Sequence, residues 1–134
     1  MPQAVHAEFL AAESFQRRSA LRAARWIKPV VLNDQRLADA FSGIGRGEAE
    51  VLALAQETNA RLAIIDDRRA RRFALRLHIP LTGTLGVLLA AKQNDLVGAL
   101  RPYVAMLQAA GLFFSPALVK TVLQLAGEDV AGGR

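Results

Sequence analysis

Apolar residues along this chain alternate between helical stripes and short continuous runs. Val5, Phe9 and Ala12 recur at i, i+4 and i+7, which predicts a helix over residues 2–13 with Pro2 in its first turn and Glu8 beside the stripe. Residues 14–24 continue as helix or loop and carry Arg17, Arg18 and Arg22. The run WIKPVVL over residues 26–32 has strand character, with Pro29 suited to an edge or a bulge. A short helix is expected over residues 34–41.

Gly43, Gly45 and Gly47 interrupt the chain before the next periodic segment. Over residues 47–59, Glu48, Val51, Leu52 and Ala55 fall at i, i+3, i+4 and i+7 and form a core stripe. Glu48 then lies at the N-terminal end of that stripe, and Glu50 is expected to face solvent. Residues 62–65 form a four-residue apolar run of the length of a buried strand. A basic helix follows over residues 68–77, and a second short strand over residues 79–82.

Beyond it, an apolar helix is predicted over residues 85–93. Another is predicted over residues 96–110, which Pro102 should either kink or restart as a first turn. Phe113 and Phe114 suggest a short strand. Ser115 and Pro116 are suited to the N-cap and first position of a last helix reaching residue 126. The closing GEDVAGGR is expected to fray, with one domain over residues 1–128 and a flexible tail over 129–134.

Short strands alternating with helices predict an α/β domain with a mainly parallel sheet. Sites in such sheets form at the carboxyl ends of strands, and Asp66 falls at such an end.

The 134 residues are enough for one domain with a buried core, and 52% are apolar. Cysteine is absent, which excludes disulfides, thiol nucleophiles and thiolate metal sites and fits a cytoplasmic protein. The N-terminus has no signal-peptide pattern, and the most apolar stretch, residues 79–91, is too short to span a bilayer. A net charge of +5, from 17 basic against 12 acidic residues, favours polyanionic partners without identifying one.

Specific chemistry narrows by exclusion. GIGRGE does not match the G-x-G-x-x-G fingerprint, and no phosphate-binding G-K-[ST] loop occurs. His6 and His78 are the only histidines and form no ligand pair, and no G-x-S-x-G elbow is present. Four carboxylates remain: Glu8, Glu48, Asp66 and Asp67. Asp67 suits an N-cap for the arginine-rich helix, and Glu48 suits a helix N-terminus. Asp66 needs a partner, either one of the following arginines or a metal. If Glu8, Glu48 and Asp66 converge, they offer the oxygen-only ligand set that Mg²⁺ and Mn²⁺ favour.

The ordered segments FSGIGRGEAEVLALAQE, RLAIIDDRRARRFALRLHIPLTGTLGVLLAAK and AGLFFSPALVKTVLQLAGE resemble the PIN-domain superfamily, in the toxin-like branch long catalogued as a domain of unknown function. The resemblance covers residues 2–128 and is most specific in GEAE, IDDRRAR, GTLGVLLAAK and LAGE. It implies a three-layer α/β/α fold with a parallel sheet and Mg²⁺- or Mn²⁺-dependent ribonuclease activity. Such proteins are often paired with a small antitoxin, and many are dimeric. Carried onto this chain, the implied catalytic and metal-binding acids are Glu8, Glu48 and Asp66, with Asp67 as the adjacent alternative. Thr84 in LTGT matches a polar position near the metal.

Arg68, Arg69 and Arg72 are expected to attract the RNA backbone, while Arg71 is assigned a structural role, paired with an acid. The resemblance also implies an earlier strand bearing D-[ST]-x-x-L, so the domain is expected to be N-terminally truncated relative to the family and to leave a sheet edge open. Self-association is the corresponding expectation. The competing expectation is a truncated, non-catalytic module that binds RNA or a protein.

Overall fold

A computed structural model describes residues 1–11 and 14–128 of the chain, so the expected helix residues Ala12 and Glu13 and the tail 129–134 lie outside the described residues. The chain divides into two units, Met1–Thr82 and Gly83–Arg134. In the first, α1 (Gln3–Ala11), α2 (Phe15–Ala23), α3 (Arg36–Asp39) and α4 (Arg46–Thr58) precede β1 (Ala63–Ile64). Then come α5 (Arg68–Arg76) and β2 (Leu81–Thr82). The second contains α6 (Thr84–Gln93), α7 (Arg101–Ala109) and α8 (Pro116–Leu125). The described residues are thus mostly helical with a small parallel sheet.

The sheet pairs β1 with β2 in parallel, Ala63 opposite Leu81 and Ile64 opposite Thr82. The Ala63 and Ile65 N–H groups donate to Pro80 and Thr82 carbonyls, each at 2.8 Å. Side chains alternate across a strand. Ala63 and Ile65 are therefore buried, while Ile64 remains 57% exposed. The run is half-buried, not fully buried as its composition suggested. Its outer face borders an apolar groove of about 560 Å³ lined by Val5, Trp26, Ile27, Leu54 and Ile64 among others.

The strand expected over residues 26–32 reduces to one parallel bridge between Pro2 and Val30. Val30 N–H donates to Met1 O at 2.8 Å, and Gln3 N–H donates to Val30 O at 3.1 Å. Pro29 has no N–H to extend the ladder. The β-propensity of WIKPVVL therefore ends in an extended segment tied to the chain start at a single point.

Helix α4 runs through the middle of the first unit. Its Leu52 and Ala55 pack with Ala63, Ile65, Ala70, Ala74 and Ile79 in one cluster. Its Ala49 and Ala53 pack with Leu32 and Ala38 in another. Small residues on two sides of α4 allow close approach by its neighbours. Asn59 ends the helix in a left-handed conformation at φ 49°.

In the second unit, Leu85, Leu100, Val104, Phe114, Val122 and Leu123 form the core. Helix α7 starts only at Arg101, with Pro102 in its first turn, so Pro102 begins a new helix and does not kink a longer one. Asp95, at φ 57°, breaks the preceding chain. Phe113 and Phe114 form no strand; Phe114 is buried and Phe113 exposed. Ser115 caps α8 as expected, its hydroxyl accepting from Leu118 N–H at 3.2 Å.

Glu128, assigned above to a fraying end, is anchored. It accepts from Lys92 Nζ at 2.9 Å and from the Leu100 and Arg101 N–H groups at the start of α7. No helix among the described residues is long and apolar enough to cross a membrane.

Candidate active site

The position of Glu8 is set by a contact one helical turn earlier. Glu50 is buried, 5% exposed, although its place in the sequence pattern suggested a solvent residue. Its Oε2 accepts from Ala4 N–H at 3.0 Å, one of the free donors in the first turn of α1. Its Oε1 accepts from Arg46 Nε at 3.1 Å, and Arg46 also pairs with Asp39 at 3.0 Å. A lone carboxylate would avoid this interior, but a helix N-terminus and a guanidinium together satisfy it.

Ala4 is thereby placed against Glu50. One turn on along α1 and one turn back along α4, Glu8 meets Gly47. A Cβ at Gly47 would lie 2.8 Å from Glu8 Oε1 and 3.0 Å from Oε2. The carboxylate occupies space that any residue but glycine would fill. Glu48, the third residue of α4, folds back to the N-cap residue, where its Oε2 touches the position a Gly45 side chain would take. Such a carboxylate suits a helix start by capping and by charge. Two of the expected acids, Glu8 and Glu48, therefore converge on the first turn of α4.

Asp66 follows Ile65 at the carboxyl end of β1, where the strand-and-helix pattern placed it, and is exposed. Asp67 is the N-cap of α5, its Oδ1 accepting from Ala70 N–H at 2.8 Å. The same carboxylate that the resemblance offered as an alternative ligand thus has a structural task. Thr84 is the first residue of α6, in the second unit, and is half-buried. Among the described residues, no three His, Asp or Glu side chains gather closely enough to hold a metal ion. The donor chemistry at the start of α4, two carboxylates, fits a hard divalent cation.

The arginines after Asp67 separate into different tasks. Arg71 is half-buried, and its Nη1 donates to Ile65 O at 2.9 Å, bracing the backbone just before Asp66. Its role is structural, as expected, but its partner is a carbonyl and not an acid. Arg68, Arg69 and Arg72 are exposed. Arg69 Nη1 donates to Gly43 O at 3.2 Å, joining α5 to the glycine-rich turn ahead of α4.

Glu50 and the Gly43 carbonyl were missed in the sequence. The Arg46–Glu50 spacing of i, i+4 was the available signal for the first. Nothing local pointed to the second.

The profile of a PIN-domain family matches residues 1–128. No curated protein and no solved structure matches the chain. PIN domains are generally nucleases and typically use divalent metals. With a match over nearly the whole described length, this chain belongs to the PIN-domain family.

Proposed function

We propose that this chain is a divalent-metal-dependent ribonuclease of the toxin type, hydrolysing RNA phosphodiesters with Mg²⁺ or Mn²⁺. The observation that carries this reading is that Glu8 packs on Gly47 and Glu48 folds back on Gly45, so both acids lie at the start of α4, with Gly47 leaving space for the first carboxylate. Glu8 and Glu48 would hold the ion, with Asp66 as the third acid. When bound, such an ion lowers the pKa of coordinated water and stabilises charge on the scissile phosphate.

The chain's own groups supply the rest. Glu50 sets the register of α1, and Arg71 steadies the backbone before Asp66. The net positive charge draws RNA to the surface. A small antitoxin protein is the partner this class implies. Self-association belongs to the same reading: Trp26, 81% exposed, and Ile64 flank an apolar groove.

One observation favours a second reading, a non-catalytic module that binds RNA or protein. It is the lack, among the described residues, of a cluster of three metal-binding side chains. Purified protein incubated with single-stranded RNA and Mn²⁺ separates the two. Cleavage that is lost in Glu48→Gln and in Asp66→Asn supports the ribonuclease. Uncut RNA, with no shift in melting temperature on adding Mn²⁺, supports the binding module.

A further inference from the structure

A second polar feature of the first unit is a cleft of about 220 Å³ lined by Ser42, Gly43, Arg69, Arg72, Phe73 and Arg76. Arg69, Arg72 and Arg76 lie at i, i+3 and i+7 and therefore share one stripe of α5. Arg76 was not among the arginines that the sequence assigned to RNA.

The walls of this cleft are held in place. Phe73 meets the edge of Phe41 at a centroid distance of 5.3 Å and an angle of 74°, and both rings pack on the core of the first unit. The opposite wall is the Ser42–Gly43 turn. Gly43 has φ +80°, a left-handed conformation that a side chain would strain, and its carbonyl accepts from Arg69. Among the described residues, no carboxylate pairs with Arg69, Arg72 or Arg76. Neighbouring guanidinium groups on one helix face repel one another, and an anion between them removes that repulsion.

From the geometry we infer that this cleft is a phosphate track, binding successive phosphodiester groups of a single RNA strand. The identity of the strand rests on the ribonuclease reading; the phosphate chemistry does not. A helix rises about 1.5 Å per residue, so the stripe from Arg69 to Arg76 extends for roughly 10 Å. One free phosphate engages only neighbouring guanidiniums on so long a stripe, whereas a strand engages all of them. Arg69 has a second role, tying the track to Gly43, two residues before Gly45, against which Glu48 folds. A strand on the track is thereby led toward the first turn of α4. Ser42 also lines the cleft.

Binding of a fluorescent single-stranded RNA, measured by anisotropy in EDTA across a salt series, tests this assignment. Each phosphate contact to a single strand contributes about 0.7 to the slope of log affinity against log salt. Arg72→Ala/Arg76→Ala should therefore lower the slope by about 1.4 and weaken binding at low salt about tenfold or more. The charge-matched double variant Arg18→Ala/Arg22→Ala, on α2, should change the slope little. Arg72→Lys/Arg76→Lys should keep most of the slope, which guards against loss of fold as the cause.

An equal loss in the α2 variant, or an unchanged slope in the α5 variant, overturns the track. So does competition by inorganic phosphate as effective as that of the unlabelled strand at matched ionic strength. Because cleavage is measured separately with Mn²⁺, the two readings fail independently. RNA bound on the track but never cut sinks only the ribonuclease, and RNA cut with binding indifferent to Arg72 and Arg76 sinks only the track.

Discussion

The Glu8 carboxylate lies against the bare α-carbon of Gly47, with its oxygens 2.8 and 3.0 Å from where a Cβ would stand. This contact brings Glu8 of α1 to the first turn of α4, which also carries Glu48. It also makes Gly47 the most direct probe of Glu8. In Gly47→Ala the added methyl meets the movable end of a side chain, so Glu8 is displaced while the helices stay packed. Alanine favours helix over glycine by up to about 1 kcal/mol, which offsets the displacement. The expected result is stability within about 1 kcal/mol of the parent by urea denaturation and Mn²⁺-dependent RNA cleavage reduced at least tenfold.

Asp66 and Asp67 are adjacent but have separable roles. Asp67→Ala removes the cap on Ala70 N–H and should cost about 1 kcal/mol, leaving cleavage nearly intact. Asp66→Asn should abolish cleavage. Paired urea melts and RNA assays on the two variants check this. Loss of cleavage in Asp67→Ala with full activity in Asp66→Asn would exchange the assignments.

Glu50 is expected to matter for stability before it matters for chemistry. Glu50→Ala leaves Ala4 N–H without its acceptor and removes one partner of Arg46, for a cost of about 1–3 kcal/mol. Arg46 keeps Asp39 and partial solvent access, so the cost should not reach that of an isolated buried charge. With Glu8 no longer held in register, cleavage should fall as well. An unfolding midpoint equal to that of the parent would show that the Glu50 contacts contribute nothing net.

Acid should weaken the second unit through Glu128. Burial pushes this carboxyl up, but donation from Lys92 and from the Leu100 and Arg101 N–H groups outweighs it and holds the group below its ordinary value of 4.5. A carboxyl depressed in the folded state contributes stability that is present above the unfolded value and lost as pH falls through the folded one. Melting temperature measured downward from pH 5 should therefore decline, and Glu128→Gln should flatten that part of the decline. A Glu128→Gln profile parallel to that of the parent would count against the assignment.

Self-association should depend on the groove beside β1. Sedimentation velocity over micromolar to millimolar concentrations is expected to show species larger than a monomer. Trp26→Ala together with Ile64→Lys should shift them toward monomer, because both residues are exposed beside the same groove. A parent protein that stays monomeric throughout would remove self-association from the proposed function.

Much of the helical organisation was legible locally. The Leu52 and Ala55 part of the α4 stripe, the Asp67 and Ser115 caps and the break at Pro102 all follow from interactions within a few residues, whereas the burial of Ala49, Glu50 and Ala53 on the other side of α4 does not. The same short range explains the failures. WIKPVVL has strand propensity, but a strand needs a partner with free donors and acceptors, and here only Pro2 supplies one bridge. Phe113 and Phe114 likewise have β-propensity and, among the described residues, no partner strand. Glu50 looked polar and outward because the sequence does not show that the start of α1 will come to rest on it.

The chain's own order of residues determined the acids, the arginine-rich helix, the capping positions and the glycine at position 47. Each of these depends on residue chemistry and local backbone preference. Tertiary structure alone decided which of them meet. Glu50 aligned α1 on α4 and so brought Glu8 to Gly47, and Arg69 joined α5 to Gly43 across 26 positions of sequence. Local propensity cannot encode such pairings, because they form only when burial and hydrogen bonding compensate the entropy of closing the intervening chain.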